Sequence, residues 1–384
     1  MIYTYPDYYR QFKCIADKCE ATCCAGWQIV VDEESLDKYR AVSDSHPFKK
    51  RLESSIDWDE EVFKQDKCRR CAFLNEKNLC DMFTVLGEES LCYTCTTYPR
   101  HIEEFENLRE VSLSISCLEV ARILLGRNEK VTFYAEETDE EDSFEDYEDF
   151  DELMFGILQD VRVVMLEILQ DRTLDISTRC AIIWEMSEEL QECLDEGSVF
   201  GCEDIIGKYV EYINAGKLLT ATHIEDRLQK YMNNPKERYA TALELFKKLY
   251  RLEVLDEEWE RQVDETSLMI YGRDENYYVS MCREFDEWLA KNMPEWQVQC
   301  EQIAVYFLAT YLCGAIYDGW VASKVKMSVV AVFYIHELLM AVWIKNEKSL
   351  TFEDIVNVTY RYSRELEHSD INLDEMEEAM NDFK

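Results

Sequence analysis

The sequence predicts a mainly α protein, with an irregular cysteine-rich N-terminal domain followed by an all-helical C-terminal domain. Three observations carry this. Glycine and proline are scarce, 11 and 5 among 384 residues, which disfavours turn-dense β folds. Glu, Leu, Lys, Arg and Met, the good helix formers, are plentiful. Ten of the sixteen cysteines fall between Cys14 and Cys117, and thiols seldom gather so densely unless the sulfurs bind something or each other. The expected division is a metal- or cluster-binding domain at 1–130, an acidic linker at 131–152 and a helical domain at 153–384.

In chain order, residues 1–13 are aromatic (Tyr3, Tyr5, Tyr8, Tyr9, Phe12) and lead into Cys14. They read either as an ordinary apolar segment or as tyrosines lining a channel. Residues 27–32 are short and strand-like. Residues 33–42 read as a helix with Leu36, Tyr39 and Val42 on one face, and residues 48–63 are loosely helical. The stretch 66–81 carries Cys68, Cys71 and Cys80. A short helix over 82–86 ends at Gly87. Residues 91–101 read as loop, with Pro99 stopping regular structure. Residues 111–117 read as strand or ordered loop, and 118–125 as a helix closed by Gly126.

The run 136–152 is dominated by acids, twelve of seventeen residues, and like charges this dense repel into a solvated, mobile segment. Beyond it the periodicity is helical. Met154, Ile157, Val161, Val164 and Ile168 make one stripe. Further helices are expected over 180–194, 205–213, 227–251 (interrupted at 233–235), 277–289, 303–317, 327–344 and 352–367, with the acidic last residues frayed. The runs 303–317 and 327–344 fall short of clean membrane spans, and His336-Glu337 interrupts the second, so both read as buried core helices. No internal repeat is visible.

The net charge of −39 repels nucleic acid and anionic membrane, whose phosphates need Lys and Arg clusters. It favours solubility and basic partners. The first residues show no signal-peptide pattern, so the expected compartment is the cytoplasm. In a reducing compartment clustered cysteines bind metals or clusters more often than they form disulfides.

Thiolates are soft ligands for zinc or iron–sulfur clusters. Cys68-x-x-Cys71 with Cys92-x-x-Cys95 would suit one zinc ribbon. Cys14, Cys19 and the adjacent Cys23-Cys24 suit zinc less, because neighbouring cysteines cannot easily both reach one tetrahedral ion. Clusters tolerate irregular and distant ligands. Cys180, Cys193, Cys202, Cys282, Cys300 and Cys313 lack ligand spacing and read as buried thiols. His336-Glu337 lacks a second histidine four residues on and reads as a satisfied core histidine.

Several motifs then fall in order: Phe12-Lys13-Cys14, Cys19, Thr22-Cys23-Cys24 and Gly26-Trp27; Asp32 and Tyr39; Cys71-Ala72-Phe73-Leu74 with Leu79-Cys80; Leu91-Cys92 with Thr94-Cys95 and Tyr98-Pro99-Arg100; and Ser116-Cys117 with Ala121-Arg122. This order, over about residues 3–126, resembles the flagellin lysine-N-methylase (FliB) family, within the broader cysteine-rich zinc- or iron-chelating group. Cys68 is not part of the pattern.

The resemblance implies methyl transfer from S-adenosylmethionine to lysine ε-amines of flagellin, and a 4Fe–4S cluster with zinc as the alternative. It implies ligands among Cys14, Cys19, Cys23, Cys24, Cys71, Cys80, Cys92, Cys95 and Cys117. No Gly-x-Gly loop of a Rossmann methyltransferase is present, nor the Cys-x3-Cys-x2-Cys signature of radical enzymes. The amine must lose its proton before it attacks the sulfonium methyl. Arg100 and His101 are candidates for the donor's carboxylate or for proton transfer, and Asp32 for a catalytic acid or base. Each reads equally as a hydrogen-bond support around the sulfurs. The competing function is a non-catalytic zinc- or iron-binding module whose helices bind a partner. The donor pocket and the oligomeric state are not written in the sequence.

Overall fold

Helices dominate the computed structural model, which describes residues 1–139, 150–222 and 224–383. The centre of the acidic run, residues 140–149, lies outside these, and with it the reading of that run as mobile.

The chain begins with strand β1 (Ile2–Pro6) and then enters a cysteine-bearing lobe. The lobe holds helices α1 (Glu33–Ala41) and α2 (Lys49–Ser55), the hairpin of β2 (Ile56–Asp57) and β3 (Val62–Phe63), and the short helices α3 (Asp81–Leu86) and α4 (Tyr93–Thr97). It has its own small core, in which Leu36, Tyr39, Leu52, Ile56 and Phe73 are almost wholly buried. The chain then returns to the sheet as β4 (Arg100–Phe105) and β5 (Leu108–Leu113). After α5 (Leu118–Leu125), strand β6 (Phe133–Glu137) completes it.

The sheet order is β4-β5-β1-β6. Strand β1 runs parallel to β5, with Thr4 opposite Glu110, and antiparallel to β6, with Thr4 opposite Ala135. Where a helix-rich reading expected loop at 91–101, the residues split between α4 and β4. The local pattern is too short for either signal, and pairing with β5 decides it. Tyr3 and Tyr5 are residues of β1, and Tyr8 and Tyr9 follow it. Tyr5 stacks on Tyr134 of β6 at 5.4 Å and meets Tyr9 at 4.7 Å, while Tyr8 is buried in the main core.

The helical body comprises α6 (Glu152–Leu169), α7 (Ile176–Asp195), α8 (Val199–Asn214), α9 (Leu218–Thr222), α10 (Ile224–Met232), α11 (Pro235–Lys248), α12 (Glu257–Thr266), α13 (Glu275–Asn292), α14 (Trp296–Tyr311), α15 (Ala315–Asp318), α16 (Val321–Lys345), α17 (Phe352–Glu367) and α18 (Asp370–Asn381). The acidic excess is put to use at helix starts. Asp32, Asp151, Asp175, Asp256 and Asp274 each accept a first-turn backbone amide, satisfying donors that a helix otherwise leaves open. Thr351 and Asp354 form a full capping box at the start of α17.

The stretches Trp296–Asp318 and Val321–Lys345 are long and apolar enough to cross a membrane, yet 78% and 67% of their most apolar windows are buried inside the protein. They are its central helices, packed on each other, with α7 and α18 also against α16. The acidic end expected to fray is the helix α18. Ser369 caps it, and Met376, Ala379 and Met380 are buried; Asp370, Asp374 and Glu378 are exposed, while Glu377 turns inward to pair with Lys324 at 2.8 Å. The apolar spacing was present, but the surrounding charge concealed it.

One buried ion cluster fixes α14. Glu301 accepts from Arg179 of α7 at 2.7 Å and from Arg172 at 2.8 Å, and Glu301 and Arg179 are nearly inaccessible to solvent. Removing one partner of such a pair strands a charge in the interior. Arg179→Met should therefore lower unfolding stability by about 3 kcal/mol, the low end of the usual loss because Arg172 remains. Urea unfolding followed by circular dichroism measures it; a loss under about 1 kcal/mol would mean that Glu301 does not anchor α14.

Candidate functional site

Cys80, Cys92 and Cys117 each occupy the cap position of a helix, α3, α4 and α5. Open amides surround their sulfurs: those of Met82 and Phe83 at Cys80, of Cys95 at Cys92, and of Val120 and Glu119 at Cys117. Such amides favour a thiolate, but at Cys80 and Cys117 burial outweighs them and the pKa is raised. Elsewhere the loops are strapped together through the backbone. Cys71 N donates to Cys24 O at 2.8 Å, Trp27 Nε1 donates to Cys23 O at 2.7 Å, and Cys24 N donates to Thr22 Oγ1 at 3.2 Å.

The sulfurs converge in two groups. Cys23 and Cys24 share a side-chain hydrogen bond, and so do Cys92 and Cys95. Cys24 acts electrostatically on Cys71, Cys80 and Cys95, which makes one group of six. Cys14, Cys19 and Cys117 form the other, with Cys23 between. Within the first dyad the hydrogen bond from Cys23 lowers Cys24 to about 7, while Cys23 is raised by giving that bond, by burial and by the charge of Cys24 beside it. Burial pushes Cys71 up to about 12. Cys68 is exposed, its amide held by Asp66 at 2.8 Å.

This donor chemistry suits a soft metal ion or an iron–sulfur cluster. Among the described residues, no three His, Cys, Asp or Glu side chains stand in a metal-holding arrangement.

The end of α17 seats the thiol loops on the helical body. The Arg364 guanidinium donates to the carbonyls of Ser116 and Ala21, both at 3.1 Å, beside the Cys19–Cys24 turn and Cys117. His368 packs on Trp27 at 4.3 Å with the rings tilted by 39°, and meets Tyr98 edge-on at 5.5 Å. Its Nε2 lies 2.9 Å from Ser116 Oγ. Burial and then the neighbouring Arg364 charge push its pKa to about 3, so the ring is neutral. Next to it, the buried Glu367 carboxylate accepts from Tyr311 at 2.6 Å, from Ser114 at 3.3 Å, and from Tyr306 and Ser363. Burial raises its pKa, and the hydroxyls oppose that rise. Ser114 and Ser116 then lead to Tyr98, 3.1 Å from Ser116 Oγ.

The three residues singled out as catalytic candidates fall in different places. Asp32 caps α1 through Ser35 N at 2.9 Å and also accepts from Tyr93 N at 2.7 Å, so one carboxylate ties α1 to the Cys92–Cys95 turn. Arg100 donates to Tyr9 OH at 3.0 Å and lies over the rings of Tyr9 and Phe12. His101 hydrogen-bonds Glu103 at 2.6 Å and faces Tyr311. Burial works against its charge, but Glu103 and Glu367 outweigh this and raise its pKa. Sequence reasoning passed over Arg364, Glu367 and His368. The available signal was a set of polar residues, Thr359, Ser363 and Glu367, spaced four apart on the buried side of an amphipathic helix.

Asp32 offers a direct test of its role. Asn caps about as well as Asp, whereas Ala costs about 1 kcal/mol at such a position. Asp32→Asn should keep the stability of the parent; Asp32→Ala should lose about 1–2 kcal/mol and speed alkylation of Cys92 and Cys95 by iodoacetamide, read by peptide mass spectrometry. Unchanged alkylation in Asp32→Ala would show that the carboxylate does not hold the thiol turn.

Comparison with known proteins bears on this arrangement. No solved structure matches the chain. It is 29% identical over 131 residues to the lysine-N-methylase of Salmonella typhimurium, covering 32% of each chain. It is 30% identical over 130 residues to the flagellar biosynthetic protein FliU of Salmonella muenchen, covering 32% of this chain and 76% of that one. The chain thus aligns with about a third of the length of the lysine-N-methylase. The model of the FliB lysine N-methylase C-terminal domain matches residues 162–384, which include the whole of α17 with Arg364, Glu367 and His368. On that match over more than half its length, the chain belongs to the FliB lysine N-methylase family.

Proposed function

We propose that the protein methylates lysine ε-amines of flagellin, with S-adenosylmethionine as donor, and that the cysteine lobe holds an iron–sulfur cluster. One observation carries this reading: α17, part of the matched C-terminal domain, seats the thiol loops through Arg364 and His368. The names lysine-N-methylase and FliU of the similar Salmonella proteins support the substrate class.

The chain's own groups suit the amine's needs. A net charge of −39 draws a basic lysine toward the surface. The amine must then give up its proton before it attacks the methyl group, a loss that exclusion of water assists. A cluster, when bound, would supply a Lewis-acidic iron for the donor's amino and carboxylate groups, and its ligands would come from the two thiol groups described above.

Anaerobic purification, an absorption spectrum and metal analysis, followed by incubation with flagellin and labelled S-adenosylmethionine, test the proposal. The expected result is a brown protein and labelled methyl-lysine in flagellin. Stoichiometric zinc with no transfer would overturn it.

A further inference from the structure

Beneath the sheet lies a cavity of about 190 Å³ that the cysteine motifs do not touch. Strand alternation builds its polar side. In the β4–β5 hairpin His101 stands opposite Ser112, and Glu103 opposite Glu110. Residues two apart share a face, so these four side chains fall on the face turned to α6 and α14. Glu103, Glu110 and Ser112 all line the cavity.

Two carboxylates directly opposite on neighbouring strands repel, which costs stability. Arg162 of α6 pairs with both oxygens of Glu110, and His101 engages one oxygen of Glu103 at 2.6 Å. Glu103 Oε2 has no partner among the described residues. Ser112 Oγ is buried without a hydrogen-bond partner, an arrangement that native interiors seldom keep. The remaining wall is apolar and aromatic: Leu124, Leu166 and Val305, with Tyr8 and Tyr306. Val163 and Phe133 line the cavity and are themselves exposed, so it opens to solvent.

Size and chemistry together narrow the occupant. A cavity of about 150 Å³ takes a six-carbon ring, whereas sites for drug-sized ligands run from roughly 300 Å³ upward. The space is therefore right for a four-carbon chain ending in an amine and small for the whole methyl donor. We propose that this cavity receives the side chain of the substrate lysine, with its ammonium at Glu103 Oε2 and Ser112 Oγ and its methylenes along Leu124, Leu166 and Val305. The proposal rests on the lysine-methylation reading and adds to it the place where the amine enters. Tyr306 lines the cavity and also donates to Glu367, so the hydroxyl chain through Ser114 and Ser116 joins this cavity to the thiol loops.

Binding can be measured without the methyl donor. The protein, purified anaerobically, is titrated with n-butylamine, with Nα-acetyl-lysine N-methylamide and with neutral n-butanol by ligand-observed NMR. The two amines should bind at least tenfold more tightly than n-butanol. Glu103→Gln, which preserves shape, should remove that preference. Ser112→Leu, which fills the cavity, should abolish binding of all three, with melting temperatures checking that both variants fold. Equal binding of amine and alcohol, or unaltered amine binding in both variants, would overturn the pocket. Because no donor is present, a protein that methylates flagellin yet binds amines equally well in both variants loses this proposal and keeps the function. One that binds amines as described yet transfers no methyl keeps the pocket and loses the function.

Discussion

The buried carboxylate of Glu367 is the interaction on which the arrangement of the two halves depends. Taking a carboxylate out of water costs several kcal/mol unless its oxygens are satisfied. Here four hydroxyls, from Tyr306, Tyr311, Ser363 and Ser114, point at it. They come from α14, from α17 itself and from the stretch after β5. Those elements can approach only in one relative placement if all four bonds are to form. The same placement brings Arg364 under the Ala21 and Ser116 carbonyls and His368 against Trp27. A buried carboxylate whose hydrogen bonds are met specifies a packing more strongly than an apolar contact of the same area.

The acidity of the chain is distributed by the same logic. Many carboxylates begin helices, where the backbone amides welcome them. Others are buried against arginines, as in the Glu301 cluster and the Glu110–Arg162 pair. The Glu103–Glu110 juxtaposition is different, because two like charges meet across a hairpin and one oxygen is left over. A stability-driven arrangement would place a lysine or threonine there. The spare carboxylate oxygen of Glu103 beside an apolar slot is what an incoming alkylammonium would complement.

Much of this was legible in the sequence. The helical class, the apolar core helices α14 and α16, the helix of Glu33–Ala41 and the ordered cysteine motifs follow from periodicity, composition and spacing. The sheet was not legible, because β1 pairs with β5 across more than a hundred residues, and its five residues carry tyrosines that a local reading assigns to packing. The helix α18 was hidden by its own charge. The polar spine was hidden for a third reason. Ser363, Glu367 and His368 look like ordinary solvent-facing residues of an amphipathic helix until tertiary packing turns that side inward. Asp32 shows the converse case: a carboxylate singled out for chemistry holds the Cys92 turn in place through two backbone amides.

The coupling of the thiol loops to the helical body through Glu367 is the central claim, and hydrogen exchange of the Glu367→Ala variant addresses it most directly. Loss of the carboxylate leaves Tyr306, Tyr311 and Ser114 without their common acceptor. Amides of residues 19–26 and 92–98 should then exchange at least tenfold faster than in the parent, while those of Val321–Lys345 keep their protection. Unchanged exchange in the thiol loops of a folded variant would contradict the account.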